Sequence, residues 1–174
     1  MHGRQQIEIN LRPWSEADLT LLQQLMGDPA MTEHIGGPET PEKIRKRHER
    51  YYQGSDSDRD RMFVILVGSE KLAAGSIGYW EKTWQGQTIW ETGWSVLPEF
   101  QGKGIATKAA TAVLELARAA GMHRFIHAFP SIDNPSSNAI CLKAGFTRHE
   151  QVDFEYPPGQ FMRCNNWQLD LLAT

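Results

Sequence analysis

Two glycines, Gly102 and Gly104, stand between a run ending in Val96-Leu97-Pro98 and the long apolar-periodic stretch of residues 104–120. This juncture constrains the fold more than any other segment. A strand must end, the chain must turn sharply, and a helix must begin within a few residues. Glycine permits the backbone conformations such a turn demands and lets a ligand approach the main chain closely. The first N–H groups of a helix have no partner inside it and point outward. The helix dipole adds positive potential at the same place. Together these features make an anion site suited to a pyrophosphate, with Lys103 able to add charge at its rim. The same segment also reads as a tight strand-to-helix turn without a ligand. It is not a P-loop, because the Gly-x4-Gly-Lys-Ser/Thr spacing is absent. Nor is it Gly-x-Gly-x-x-Gly, since Ala106 and Thr107 follow Gly104-Ile105.

The surrounding pattern supplies the other elements. Ile7, Ile9 and Leu11 alternate with polar residues, as in a half-buried strand. Ser15 with Asp18 starts a helix carrying Leu19, Leu22, Leu25 and Met26, and Gly27 ends it. Residues 32–40 read as a loop, and Thr40-Pro41 caps a second, basic helix. Residues 62–67, 72–80 and 88–97 form three strands with short links, which predicts an antiparallel meander. In the helix over 104–120, Ile105, Ala109, Val113, Leu116, Ala117 and Ala120 share one face, with Gly121 at the stop. A short buried strand over 124–129, a helix from Asn134-Pro135 to about Ala144, and two strands around Pro157-Pro158-Gly159 complete the chain. No repeat or linker interrupts it, so one domain over residues 1–174 is expected.

Gln101-x-x-Gly104-x-Ala106, after Val96-Leu97-Pro98, resembles the acyl-CoA signature of the GNAT N-acetyltransferase superfamily. Residues 134–146, with Asn134, Ser137, Lys143, Gly145 and Phe146, are similar to that family's Asn-x-x-Ser/Ala…Lys-x-Gly-Phe segment. Leu11-Arg12-Pro13 with Asp18 resembles the branch that acetylates the N-terminal alanines of ribosomal proteins. The resemblance implies an α/β (α+β) fold with a mixed, mostly antiparallel sheet, helices on both faces, and a splay beside a bulged central strand. It implies acetyl-CoA as co-substrate, with the pantetheine arm against the strand backbone near Val96. It also implies backbone contacts of Gly102, Lys103, Gly104, Ile105 and Ala106 with the pyrophosphate. Gln101 belongs to the same signature, and Asn134 would lie near the CoA arm.

Acetyl transfer to an amine needs a base for the amine proton and a partner for the departing thiolate. Glu91, in Trp90-Glu91-Thr92-Gly93-Trp94, is the candidate base, because apolar neighbours would desolvate its carboxylate. The alternative is a solvent-facing strand residue or an ion-pair partner. Ser137 is the candidate partner of the thiolate, and otherwise a first-turn serine. Asn134 is also a good helix N-cap. Many family members carry tyrosine where Cys141 falls, so this chain departs from that acid. Cys141 as a nucleophile would need an activating base that no pattern supplies. His34 and Glu39 lie in the loop that borders the acceptor pocket in this family. The basic helix, with Lys43, Arg45, Lys46, Arg47, His48 and Arg50, reads as a solvated face. Trp80, Trp84, Trp90 and Trp94 either wall a pocket or pack the sheet.

Composition closes off other classes. A net charge of −3 gives no bulk attraction to nucleic acid or an anionic membrane. Residues 1–10 lack a signal core, and no apolar run is long enough to span a bilayer. Two cysteines, Cys141 and Cys164, fit neither a disulfide framework nor a zinc site, and suit a cytoplasmic protein. His123, His127 and His149 lack metal-ligand spacing, so no metal is expected. The expected partner is an amine acceptor, a protein N-terminus or a small molecule, with the protein a monomer or homodimer. Two other readings stay open: a non-catalytic acyl-CoA-binding sensor, and a binder of another nucleotide.

Overall fold

The structure is a computed structural model that describes residues 6–173. Residues 1–5, part of the stretch read as lacking a signal core, and Thr174 lie outside it. In chain order the elements are β1 (Ile9–Pro13), a 3-10 turn (Glu16–Asp18), α1 (Leu19–Met26), α2 (Pro41–Gln53), β2 (Asp60–Val67), β3 (Leu72–Trp84), β4 (Gln87–Val96), α3 (Ile105–Ala120), β5 (Phe125–Ala128), α4 (Pro135–Lys143), β6 (Thr147–Glu155) and β7 (Phe161–Asp170). One seven-stranded sheet has the order β1-β2-β3-β4-β5-β7-β6. Only β4 and β5 pair in parallel; the other neighbours are antiparallel. The expected mixed, mostly antiparallel sheet and its central meander are present.

Both faces of the sheet are covered, which explains the continuous apolar run in β2. Strand side chains alternate between faces. Phe63, Ile65 and Val67 join a core with Ala109, Val113 and Ala117 of α3. Met62 and Val64 join a second core with Leu22 and Leu25 of α1 and Ile44 of α2. The buried side of α3 differs from the expected face. Ala110 and Leu114 are buried, whereas Leu116 is half-buried and Ala120 exposed. Contact of α3 with both the sheet and α4 widens the buried arc, and its last turn lies at the surface.

The ends of α1 and α2 are tied by polar contacts inside the second core. Asp18 accepts from Arg12 at 2.7 and 3.0 Å and from the Ser15 amide at 2.7 Å. Thr40 caps α2 by accepting from the Lys43 amide. His48 is buried, accepting from the Trp14 indole at 3.1 Å, while its other ring nitrogen meets the Glu16 carbonyl at 3.1 Å. The basic helix is therefore not a uniform solvated face, because Ile44 and His48 turn inward. The sequence reading missed the period: Ile44, Arg47, His48 and Tyr51 fall at helical i, i+3, i+4 and i+7.

The splay that a cofactor would need lies between β4 and β5. These strands pair only at Trp90↔Ile126 and Glu91↔His127. Beyond that point β4 continues to Val96 against β3 alone. The register of β3 with β4 is continuous from Gly75↔Val96 to Trp84↔Gln87. The expected bulge is thus absent from that pairing; the gap opens because β5 is short and departs at Phe129.

Gly78 and Gly93 face each other across β3 and β4. A Cβ on Gly78 would press into the Met62 sulfur and come within 2.5 Å of the Arg61 carbonyl oxygen, which is backbone and cannot swing aside. Gly78→Ala is expected to lower stability by about 1–3 kcal/mol, read from urea unfolding. An unchanged midpoint would contradict this packing.

Candidate active site

The turn after β4 builds the first half of the site. Gly102 and Gly104 adopt φ of 71° and 78°. A Cβ at either would meet nothing within 4 Å, so glycine is required there by backbone conformation rather than by space. Gly104 caps α3 without a side chain. Lys108 N–H reaches the Gly104 carbonyl at 3.1 Å, so the N–H groups of Ile105, Ala106 and Thr107 have no partner within the helix. They open onto a cleft of about 450 Å³ lined also by Val96, Gln101, Asn134, Ser137 and Ile140.

The edge of β4 forms one wall. Leu97 N–H donates to the Ala74 carbonyl at 2.8 Å, which sets the phase of the ladder with β3. Groups alternate along an antiparallel pair, so the N–H and C=O of Trp94 and Val96 point away from β3. They face the gap that β5 has left. The Gln101 side chain donates to the Val96 carbonyl at 2.8 Å. Gln101 therefore braces the strand end, leaving the Val96 N–H toward the cleft. Lys103 does not line the cleft; its ammonium donates to the Glu99 carbonyl at 2.9 Å and folds back over Phe100. Thr107, Ser136, Ile140 and Lys143 do line it and were missed. Thr107 carries the third unpaired amide of α3, and Ser136, Ile140 and Lys143 recur at helical spacing on α4.

The second half is a cavity of about 250 Å³ on the α1–α2 face. Cavity and cleft share Met31, His34, Trp94, Ser95, Asn134 and Ser137, so the two are contiguous. Glu91 lines the cavity, directly opposite Trp80 on β3. The Trp80 indole donates to its carboxylate at 2.9 Å. Burial raises the Glu91 pKa above its ordinary 4.5, opposed only in part by the Lys82 charge and the Trp80 hydrogen bond. Glu91 is thus half-buried against the cavity and makes no ion pair among the described residues.

Asn134 acts as the N-cap of α4, accepting from the Ser137 amide at 3.1 Å. Its Nδ2 donates to the Ser137 hydroxyl oxygen at 3.2 Å. That contact uses a lone pair of Ser137 and leaves its proton to donate elsewhere. Cys141 is fully buried and its thiol is pushed up to about 12 by burial, a state unsuited to nucleophilic attack.

Of the tryptophans on β3 and β4, Trp80 and Trp94 wall the cavity. Trp90 is fully buried in the sheet core, and Trp84 packs on Phe129 with centroids 4.8 Å apart. His34 lines both spaces, whereas Glu39 turns to Arg47, its oxygens accepting from Nε at 3.0 and 3.2 Å. Arg47 also donates to the hydroxyls of Tyr51 at 3.2 Å and Tyr156 at 2.8 Å. All three residues line the cavity and were missed. Tyr156 arrives from the β6–β7 turn by tertiary folding alone, with no local sequence signal. Among the described residues no group of three or more His, Cys, Asp or Glu side chains could hold a metal ion. No helix among them is long and apolar enough to cross a membrane.

Residues 8–147 match the family model described as an acetyltransferase (GNAT) domain, and the chain belongs to that family. Its fold is that of solved acetyltransferases. It is similar to a spermidine N-acetyltransferase from Vibrio cholerae in complex with CoA and spermine, at 17% identity over 97% of this chain and 99% of that one, with a TM-score of 0.75. It is also similar to a ribosomal-protein-S5-alanine acetyltransferase from Vibrio fischeri, at 17% identity over 97% and 95%, with a TM-score of 0.75. An aminoglycoside acetyltransferase in complex with coenzyme A aligns at 19% identity over 94% and 95%, with a TM-score of 0.72. No curated protein matches the chain by sequence.

Proposed function

We propose that this protein is an acyl-CoA-dependent N-acetyltransferase that moves an acetyl group from acetyl-CoA to a primary amine by direct attack in a ternary complex. The observation that carries the reading is the junction of the two spaces. A half-buried carboxylate, Glu91, lies in one, an anion-ready helix start lies in the other, and Ser137 borders both. Acetyl-CoA would supply the acyl group as a thioester. The unpaired amides of Ile105, Ala106 and Thr107 fit its pyrophosphate. The open edge of β4 at Trp94 and Val96 fits the amide-bearing pantetheine arm. Structural neighbours bound to CoA support this fit.

Within that frame the residues divide the work. Glu91 takes the amine proton through a water as the N–C bond forms. The C–S bond breaks, and the sulfur leaves with the electron pair beside the Ser137 hydroxyl, which donates a hydrogen bond to it. Positioning and a dry, preorganised environment supply most of the acceleration. The reading treats residues 1–174 as one domain. It places the protein in the cytoplasm, where its two buried free thiols would stay reduced, as monomer or homodimer. The ribosomal-alanine branch supplies one acceptor class among several.

The test is release of CoA thiol from acetyl-CoA in the presence of primary amines. Acceptor-dependent release supports the enzyme; binding of acetyl-CoA without release from any amine would favour the sensor reading. Ser137→Ala is expected to lower kcat roughly 10- to 100-fold, the worth of a hydrogen bond to a charged group, with KM for acetyl-CoA little changed. Equal kcat in the two proteins would remove Ser137 from the reaction.

A further inference from the structure

The acceptor cavity selects by what its walls lack. Met62, Trp80, Trp94, Phe129, Phe154 and Met162 give it a largely apolar and aromatic surface. Glu91 is the only carboxylate among the described residues that line it. Its one guanidinium, Arg47, is met by Glu39 and by two tyrosine hydroxyls, so it neither attracts an anion nor leaves a charge unmatched. A ligand thus finds one negative group in a surround that is mostly apolar and aromatic, with neutral hydroxyls such as those of Ser76 and Thr92 among its walls.

Size and access narrow the choice. At about 250 Å³ the cavity is smaller than the roughly 300–1,000 Å³ of drug-sized sites. The loop between α1 and α2 supplies His34 and Ile35, and the β6–β7 turn supplies Tyr156. These segments touch: a Cβ on Gly36 would fall 2.6 Å from Pro157 Cδ, and Arg47 bonds to Tyr156. The loop and the turn thus meet beside the cavity.

We propose that the acceptor is a small primary amine with one ammonium group and an apolar body of about aromatic size. This rests on the acetyltransferase reading above and adds the substrate class to it. The amine would sit at Glu91, and its body would be buried between the tryptophan rings and Phe154, where apolar and aromatic contact is favourable. A polyamine or aminoglycoside would bring further ammonium groups into a cavity whose described lining offers no second carboxylate, and an unpaired buried charge is strongly disfavoured.

The experiment compares kcat/KM for 2-phenylethylamine, ethylamine, spermidine, kanamycin and an alanine-initiated peptide, alongside acetyl-CoA binding to the same preparation. The expected result is 2-phenylethylamine above ethylamine by about tenfold or more and above both polycations by roughly 100-fold. The half-exposed Met162→Glu adds a carboxylate to the wall and should move the spermidine to 2-phenylethylamine ratio upward by about tenfold, with acetyl-CoA binding retained. A polycation or the peptide matching or exceeding 2-phenylethylamine would overturn the inference and leave the enzyme reading standing. Retained acetyl-CoA binding with no turnover of any amine would overturn the enzyme reading, and the inference would fall with it.

Discussion

Glu91→Gln is expected to lower kcat by roughly 100- to 1,000-fold, the usual weight of a positioned general base, while acetyl-CoA affinity stays as in the wild type. Glutamine keeps the shape and can still accept from the Trp80 indole, so the packing around the position persists. What it cannot do is accept a proton. The same change should stabilise the fold at neutral pH. Burial raises the Glu91 pKa above its ordinary 4.5. With the folded value above the unfolded one, this group's contribution is fully present below the unfolded pKa. It is lost as pH rises through the folded pKa, since the folded state disfavours the ionised form. The wild type therefore carries a destabilising carboxylate at pH 7, and the variant should melt higher there but not at pH 4. Activity of the wild type should fall on acidification at a pH above the ordinary glutamate range, and that limb should vanish in the variant. Thiol-release kinetics across pH, with thermal melts of both proteins, check each part. Kinetics within twofold of wild type would remove Glu91 from the proton transfer.

Ala106→Asp should weaken acetyl-CoA binding by roughly 100-fold. Ala106 lies in the first turn of α3 and lines the cleft. At a separation of about 5 Å from a bound phosphate, a carboxylate there would meet a repulsion of about 3 kcal/mol at an effective dielectric near 20. Ala106 is half-buried against the core, so the cost of a polar side chain and of lost helix propensity is set against a gain from the dipole. An acidic residue in a helix's first turn is favoured by the dipole, by about 0.3–1 kcal/mol. Loss of binding in a protein that still unfolds in a cooperative transition is the expected combination, read by titration and thermal unfolding. Binding as tight as in the wild type would place the pyrophosphate elsewhere.

Features written in contiguous residues were legible from the sequence. The αL turn at Gly102 and Gly104, the Thr40-Pro41 and Asn134-Pro135 helix starts, and the β2–β4 meander all rest on local conformational preference, on apolar runs or on short turn-forming links, which a chain displays along its length. Gly121 ends α3 with φ of 65° as its position implied. Glu91 and Ser137, picked out from the stretches 90–94 and 134–146, both line the cavity, and their roles in the reaction are those proposed above. Properties set by neighbours distant in sequence were not legible. Arg47 meets Tyr156 across 109 positions, and nothing in either segment announces the other. Gln101 stands in the signature, yet its amide serves the Val96 carbonyl. Lys103 stands there too, yet its ammonium turns to the Glu99 carbonyl. A motif fixes where the backbone goes more firmly than where a long side chain points. The splay at β5 is a difference in strand length, visible only once the pairing is known.

Everything proposed for the site depends on acetyl-CoA binding in the cleft between β4 and the start of α3. The direct measurement is a calorimetric titration of the purified protein with acetyl-CoA, with ATP as control. Saturable binding with a Kd near micromolar, about −8 kcal/mol, is the expected result, with ATP producing no comparable heat. Absence of binding at millimolar acetyl-CoA, in protein shown to be folded by its melting transition, would contradict it.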